Sequence, residues 1–267
     1  MKRLLAALAL AVALVAVGCG SSSSPEAGAT PTTPASSATA TSSPGPTQTP
    51  ADGMVAVAAG WEPIAASDFV TEIDNPWFPL MKGRSWVSVG VKDGQKTVDT
   101  YTVTGQTKVI MGVTCSVIRD RLTVHNKAVE ATWDWYAQDK QGNVWYMGED
   151  TKEFDAAGNV TSTSGSWETG VDGAAAGIFM PADPQVGMGG YQEYYEGEAL
   201  DKYKVISMTA TITVPYGAFE GCLETRETTA LEPSVVDHKY YVKGIGQVAE
   251  ESVKGPREAS HLTKLTK

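Results

Sequence analysis

The sequence predicts an all-β protein: an antiparallel barrel, half-barrel or sandwich that follows a signal peptide and a disordered tether. Runs such as Thr100–Val103, Thr211–Val214 and His238–Val242 are rich in β-branched and aromatic residues with alternating polarity, which is typical of strands. No long stretch has the 3.6-residue apolar period of an amphipathic helix. Asp93 and Gly94, between two such runs, form a typical two-residue hairpin turn.

Two longer segments, Asp139–Asn143 and Asp155–Asn159, carry the same order of turn residues. Aspartate can accept hydrogen bonds from the backbone of a turn, and Gly and Asn tolerate positive φ. Neither segment has the oxygen ligands of a calcium loop. We therefore expect the same turn twice, without a metal.

Residues 1–18 have the pattern of a bacterial lipoprotein signal peptide. Lys2 and Arg3 precede the apolar run Leu4–Val17, and small residues lead to Cys19. A transmembrane anchor is the alternative, but the run is shorter than the about 20 residues that span a bilayer. The pattern predicts cleavage before Cys19 and lipidation of this cysteine, on the extracytoplasmic face of a bacterial cell membrane.

Residues 19–60 predict a tether, because Ser, Thr, Pro, Ala and Gly dominate this segment and Glu26 and Asp52 are its only charged residues. Such a composition cannot bury a core, and proline stiffens it. The Ser/Thr density with Pro is also compatible with O-glycosylation. The folded domain is accordingly predicted over residues 61–267.

The charge balance excludes a class of partner. The chain has 21 basic and 31 acidic residues and a net charge of −10, without a basic cluster that could neutralise phosphates. We expect no nucleic-acid partner. The membrane is then a partner through the N-terminal lipid alone, since the acidic chain is repelled by anionic head groups.

The second half of the domain aligns with the first at a period of roughly 105 residues. This predicts two sequence-related halves, at about 75–165 and 180–255, each a four- or five-stranded antiparallel sheet. Chance similarity among β sequences is the alternative. The aligned segments are Asp99–Val103 with Asp201–Val205, Cys115–Asp120 with Cys222–Glu227, Asp134–Tyr136 with Lys239–Tyr241, and Gly142–Val144 with Gly246–Val248.

Cys115 and Cys222 are the two cysteines left after lipidation, and they occupy equivalent places in the two halves. In an exported protein such thiols usually pair, so a disulfide between them is predicted. A redox pair or a metal site is the alternative, although no Cys-x-x-Cys and no nearby histidine pattern supports it.

Seven segments of the chain carry a resemblance to known proteins: Asn75–Leu80, Asp134–Asp139, Gly142–Glu149, Gly165–Glu168, Gly170–Gly173, Val214–Cys222 and Tyr240–Gly246. They resemble a group of secreted bacterial proteins and lipoproteins with antiparallel half-barrels. The resemblance implies a fold and no activity. In architecture alone it extends to lipoprotein carriers of the LolA, LolB and LppX type, whose concave sheets hold acyl chains.

Chemistry-bearing patterns are few. His125, His238 and His261 lie near no serine elbow and no metal-binding spacing, so we predict no catalytic residue, no metal ligand and no cofactor. A polysaccharide hydrolase would need two carboxylates across a cleft. Its candidates are Asp134, Asp139, Glu149, Asp150, Glu168 and Asp172.

The aromatic residues are the strongest candidates for ligand binding. The two-residue period places Trp133 and Trp135 on one face of a strand and Asp134 and Tyr136 on the other. Such faces form either a barrel core or the lining of a cavity. The glycine-rich run Gly165–Gly190 is interpreted as a lid or as the linker between the halves. The candidate residues are Trp133, Trp135, Tyr136, Trp145, Trp167 and Tyr240.

Three hypotheses follow. The first is a lipid-anchored envelope protein that binds a hydrophobic or amphipathic small molecule and has no enzymatic activity. The second is a packed β protein that serves a structural or interaction role in the envelope. The third is a hydrolase of envelope polysaccharide.

Overall fold

The structure is a computed structural model, and it describes residues 53–267. This part of the chain is all-β, as predicted, and its only helix is a short 3₁₀ turn, Ala66–Asp68. One antiparallel sheet of 16 strands and one pair, β1–β2, make up the fold. The strands are β1 (Met54–Val55), β2 (Ile64–Ala65), β3 (Phe69–Val70), β4 (Ser85–Lys92), β5 (Gln95–Ile110), β6 (Val113–Val124), β7 (Lys127–Asp139), β8 (Val144–Phe154), β9 (Val160–Ser162), β10 (Trp167–Glu168), β11 (Ala175–Met180), β12 (Gly189–Tyr191), β13 (Glu193–Tyr194), β14 (Asp201–Val214), β15 (Gly217–Thr229), β16 (Val236–Val242), β17 (Gly246–Lys254) and β18 (Ala259–Thr266).

The sheet curls into a nearly closed barrel. Its strand order is β12-β14-β15-β16-β17-β18-β4-β5-β6-β7-β8-β11-β13. The two edge strands, β12 and β13, follow each other in the chain with only Gln192 between them. Because β12 pairs with β14 and β13 pairs with β11, one short segment joins the two edges. We call residues 189–194 the closing segment.

Two meanders of the same order make up most of the barrel. Strands β5 to β8 pair in succession, and so do β14 to β17. The C-terminal strand β18 lies between β17 and β4 and joins the two meanders in one sheet. The predicted halves thus have a common topology, while their relationship in sequence stays a prediction.

The turns form as the sequence indicates. Asp93 and Gly94 both have positive φ, 52° and 74°, in the tight hairpin between β4 and β5. Asp139 Oδ1 accepts hydrogen bonds from the backbone amides two and four residues later, each at 2.9 Å. Asp155 Oδ1 does the same at 2.8 and 2.9 Å. The two longer turns are therefore one local structure used twice.

The folded domain begins earlier than predicted. Residues 54–70 lie on the outer face of the sheet, and we call them the outer arm. Ala58 N donates to Ala176 O at 2.8 Å, and Ala176 N donates to Ala56 O at 2.9 Å. Val55 is buried. The tether prediction was wrong for residues 54–58, because these apolar side chains pack against the sheet. The signal peptide, Cys19 and residues 19–52 lie outside the described residues.

The motif Asn75–Leu80 closes one end of the barrel, and we call it the plug. Asn75 Nδ2 donates to the carbonyl oxygens of Gly142 and Pro181, at 2.8 and 3.1 Å. Its Oδ1 accepts from Trp77 N at 2.9 Å. Asn75, Phe78 and Leu80 are all buried. Asn75 thereby ties the plug to the loops at this end.

The predicted disulfide is absent, since Cys115 and Cys222 are both free and buried. Cys115 lies on β6, in an apolar cluster with Val117 and Trp135 to which Cys222 does not belong. Cys222 lies on β15, and five strands separate it from β6 in the sheet. A disulfide requires Cα atoms within about 7 Å, which the positions of these two strands do not provide.

The run Gly165–Gly190 is neither a lid nor a simple linker. It contains β10 and β11, and both pair with β8. All six residues of β11 are buried. Glycine is needed here because a Cβ at Gly177 would lie 2.1 Å from the carbonyl oxygen of Tyr191. The composition predicts a loop, but the low side-chain volume serves close packing of the backbone.

Candidate functional site

The inner face of the barrel changes from aromatic to acidic along the strands. On β7 the inward residues run Tyr136, Asp134, Thr132 and Glu130, from the plug end toward the opposite end. Tyr136 is fully buried and Asp134 is 1% exposed. Because side chains alternate between faces, the intervening residues Trp133 and Trp135 point outward. The interior therefore offers two chemically different surfaces to anything it encloses.

Aromatic side chains form the layer next to the plug. Tyr136 stacks on Tyr146 with ring centroids 4.6 Å apart. Phe78 of the plug lies 5.3 Å from Tyr136 and 4.7 Å from Phe179. Tyr101 lies 6.3 Å from Phe78. Offset and edge-to-face pairs of this kind are the favoured aromatic geometries, and they make the layer largely apolar.

A cavity of about 30 Å³ lies beside this layer. Phe78, Trp86 and Tyr101 line it together with Ser88 and Ser260, whose small side chains leave the space open. A water molecule needs about 10–15 Å³ measured in this way. The cavity accordingly has room for about two or three water molecules, and a larger occupant would have to displace the side chains around it.

The acidic layer begins with Asp134 and Glu149, which face each other across β7 and β8. The Tyr146 hydroxyl lies 2.5 Å from Asp134 Oδ1 and 2.5 Å from Glu149 Oε2. A phenol has one proton to donate, so the second contact requires a protonated carboxyl group. Burial, followed by the charges of Glu149 and Asp120, raises the pKa of Asp134 well above its ordinary value. The raised pKa favours the protonated form of Asp134.

Asp99 and Asp120 form a second carboxyl pair on β5 and β6. Burial raises the pKa of both groups, and the neighbouring charge of Asp99 raises that of Asp120 further. A hydrogen bond between the two side chains lowers the pKa of Asp99 in part. Neighbouring carboxyl groups in a buried site oppose each other's ionisation, which raises the pKa of one of them further.

Lys239 lies on the inner face across the barrel. Its Nζ is 2.5 Å from Glu227 Oε2, and both side chains are buried. Burial lowers the pKa of Lys239, but the charges of Glu227 and Glu250 outweigh this effect and hold the pKa well above its ordinary value. Lys239 is thus a cation whose charge is already balanced.

Glu130 and Lys92 occupy the end of the interior opposite the plug. Lys92 Nζ lies 3.8 Å from Glu130 Oε2, and about a fifth of each side chain is exposed. Burial raises the pKa of Glu130 to about 7, against a smaller opposing effect of Lys92. Water therefore reaches the acidic layer from this end.

The structure divides the predicted ligand residues between the two faces of the sheet. Trp133, Trp135 and Trp145 belong to the outer apolar cluster, where the outer arm covers them. Trp145 Nε1 donates to Asp139 Oδ2 at 2.8 Å, and Lys108 Nζ lies 3.2 Å above the Trp135 ring. These three tryptophans hold the outer arm to the barrel.

Only Tyr136 and Trp167 of the predicted set belong to the interior. Trp167 is buried, lies 5.4 Å from Tyr146 and donates through Nε1 to Glu193 Oε2 at 3.1 Å. Tyr240 lies on the outer face of β16 beside Glu224, and burial raises its pKa to about 12. The structure does not bring the six residues together in one site.

The carboxylates proposed for a hydrolase are divided in the same way. Asp134 and Glu149 are inside, whereas Asp150 and Glu168 pair outside with Lys152 and Lys108, at 2.8 and 2.6 Å. Asp139 is a turn residue, and Asp172 is exposed with a φ of 50°.

The three histidines lie in a turn and on the outer face. His125 is in the turn between β6 and β7, with a φ of 50°. His238 and His261 each lie 2.8 Å from a glutamate oxygen, of Glu224 and Glu251 respectively. Sequence reasoning missed Asp99 and Asp120, although both alternate with β-branched or aromatic residues on predicted strands.

Within residues 53–267, no three His, Cys, Asp or Glu side chains are arranged so that they could hold a metal ion. Over the same range, no helix combines the length and apolar character needed to cross a membrane.

Fold and interior together define a class: an antiparallel, nearly closed β barrel with a plugged end and an acidic interior. No protein-family model matches the chain, and neither does any curated protein. Two crystal structures are similar. One is a protein inferred to be exported, with a YmcC-like fold, from Bacteroides fragilis, with a TM-score of 0.41 and 15% identity. The other is a protein inferred to be a lipoprotein from Parabacteroides distasonis, with a TM-score of 0.39 and 12% identity. Each match covers 72% of this chain and 99% of the other.

Proposed function

We propose that this protein is a lipid-anchored binding protein of the bacterial cell envelope, which takes an amphipathic small molecule into its β barrel. The observation that carries the proposal is the two-layered inner face. The apolar part of the ligand would lie on the rings of Tyr136, Tyr146 and Phe179, and its polar part would lie among the carboxyl groups of Asp134 and Glu149.

The number of strands supports an interior that can hold a ligand. Barrels of eight strands are just wide enough for side chains or one small ligand, and those of 16 to 18 strands leave a channel. Here thirteen strands lie along the continuous path around the sheet. The small cavity beside Ser88 is a point from which such a space can widen as aromatic side chains move.

A ligand that co-purifies with the protein tests the proposal. We would release the protein gently from membranes of a bacterial host and record native mass spectra before and after organic extraction. We expect an added mass that extraction removes. A bare polypeptide mass, repeated after incubation with envelope lipids, would contradict ligand binding and favour a packed barrel with a structural or interaction role.

A pair of variants locates the binding site. Ser88→Trp puts a large side chain into the cavity, since Ser88 lines it, and we expect the added mass to disappear. Val91→Trp on the opposite face of the same strand is the control, because Val91 is 39% exposed. Equal loss in both variants would count against a site inside the barrel.

Anchoring has its own test. Cys19→Ser removes the sulfur that the lipid would modify, so we expect the protein to leave the membrane fraction and to lose incorporation of a labelled fatty acid. Retention of the label in this variant would contradict the lipobox interpretation.

A further inference from the structure

Resting on the proposed function, we infer that the polar group of the ligand is an organic cation: an ammonium group held by the inward carboxyl groups of Asp99, Asp120 and Asp134. The inference concerns the charge of the ligand, and it can fail while ligand binding itself stands.

The charge balance of the inner face favours a cationic ligand. The described strands place two lysines on this face, Lys92 and Lys239, and each is paired with a glutamate. In the part of the chain that the structure describes, neither lysine forms an ion pair with Asp99, Asp120 or Asp134.

Three carboxyl oxygens on the inner face lack hydrogen-bond partners among residues 53–267. Asp134 is only 1% exposed. Its Oδ2 atom is buried and has no hydrogen-bond partner among residues 53–267. The same holds for Oδ1 of Asp99 and Oδ1 of Asp120. Buried polar atoms are nearly always satisfied in folded proteins. Oxygens on the inner face that lack a donor therefore indicate one that arrives with a ligand.

The arrangement of the acidic side chains favours an organic cation over a metal ion. No three acidic side chains of the described strands are arranged so that they could hold a metal ion. An ammonium group needs no such set, because each of its N–H donors can bond to a single carboxyl oxygen. In a low-dielectric interior a cation also favours the ionised form of neighbouring carboxyl groups, and these charge-assisted hydrogen bonds are the strong ones.

The inward carboxyl groups would repel an anionic head group. It would bring negative charge among carboxyl groups whose own ionisation is already opposed by burial. A neutral hydroxyl could donate one hydrogen bond but would leave the charge balance unchanged. The expected order of affinity is thus ammonium, then hydroxyl, then sulfate on the same alkyl chain.

The test uses the mature chain with Cys19→Ser, which needs no detergent, and three ligands below their micelle concentrations: dodecylammonium, dodecanol and dodecyl sulfate. Binding is followed by tryptophan fluorescence and by native mass spectrometry. We expect dodecylammonium to bind about tenfold more tightly than dodecanol, and dodecyl sulfate not to bind inside the barrel.

Variants assign the effect to the inner carboxyl groups. Asp134→Asn should weaken dodecylammonium binding about tenfold and leave dodecanol binding unchanged. If circular dichroism shows that Asp134→Asn does not fold, the same two affinities are measured for Asp120→Asn. Asp150→Asn, on the outer face, is the control and should change neither affinity.

The outcomes separate the two proposals. Binding of dodecanol or dodecyl sulfate as tight as that of dodecylammonium, or an unchanged affinity in both inner variants, would overturn the cationic ligand and leave the binding function standing. Failure of all three ligands to bind would overturn both.

Discussion

At the residue scale, the position of a carboxyl group relative to the sheet decides whether it holds a proton. Asp155 lies in an exposed turn, where hydrogen bonds from the side chain and backbone of Asn159 lower its pKa. Asp134 lies inside the barrel, where burial raises its pKa. Both are aspartates, with the same ordinary pKa. What differs is the access of water to the charged form.

Glu130 provides a prediction about pH. Its pKa rises from 4.5 to about 7 in the folded protein, chiefly through burial. The folded state therefore binds more protons than the unfolded chain between these values, and stability falls as pH rises through that window. Glu130→Gln should remove on the order of 3 kcal/mol of this loss. Urea unfolding at pH 4.5 and at about pH 7 measures the change in the free energy of unfolding.

The control for Glu130 is Glu220→Gln in the exposed part of the β14–β15 hairpin, which should keep the dependence of the wild-type protein. An identical pH dependence in Glu130→Gln and in the wild type would refute the role of Glu130.

The cysteines give a second prediction at this scale. Cys115 and Cys222 have no exposed surface, and burial raises the pKa of Cys115 to about 12. Since the thiolate is the reactive form, iodoacetamide should label neither thiol in the native protein. In denaturant without reductant it should label both. If neither cysteine is alkylated in denaturant, the two are instead joined in the disulfide that the sequence predicts.

At the element scale, the same turn occurs in a buried and in an exposed environment. We therefore expect the two turns to contribute differently to the free energy of unfolding. Asp139 and Asp155 make equivalent backbone hydrogen bonds. Only Asp139 also accepts from Trp145 Nε1 and is buried. We expect Asp139→Ala to lower the free energy of unfolding by about 3 kcal/mol and Asp155→Ala by much less. Chemical denaturation of the two variants measures the difference, and equal losses would contradict it.

The tertiary contacts of the outer arm and of the plug cannot be predicted from the sequences of these two segments. Residues 54–58 are too few and too simple to predict a strand, yet they pair with β11 and lie over the outer cluster. The plug motif Asn75–Leu80 stands out in the sequence, but the partners of Asn75 are 67 and 106 residues away. Local patterns predict neither contact.

At the scale of the whole molecule, the closing segment decides whether the sheet is a barrel. Gly177→Ala would place a Cβ 2.1 Å from the Tyr191 carbonyl oxygen and force β11 away from β12. We expect a loss of about 1–3 kcal/mol, as for other overpacked sites. Hydrogen exchange should become faster in residues 175–180 and 189–194.

Gly217→Ala is the matched control for the closing segment. A Cβ there would meet only the side chain of Phe219, at 3.3 Å, which can move. Exchange that becomes faster across the whole sheet in Gly177→Ala, or nowhere, would contradict a local opening at this seam.

The candidate site was predictable in part. The period of two correctly separates Trp133 and Trp135 from Asp134 and Tyr136, but it does not tell which face is enclosed. The sequence favours the tryptophans as ligand residues because they are large and apolar. The barrel instead encloses Asp134 and Tyr136, and the outer arm covers the tryptophans.

The sequence alone determined the all-β class, the hairpin turns and the two faces of each strand, because these depend on alternation and on residues that tolerate positive φ. Only the tertiary structure decided which face lies inside, which carboxyl groups meet and that the cysteines stay apart. Those properties depend on pairing between distant strands and on closure through residues 189–194. No local pattern predicts that β12 and β13, the two edge strands of the sheet, come together.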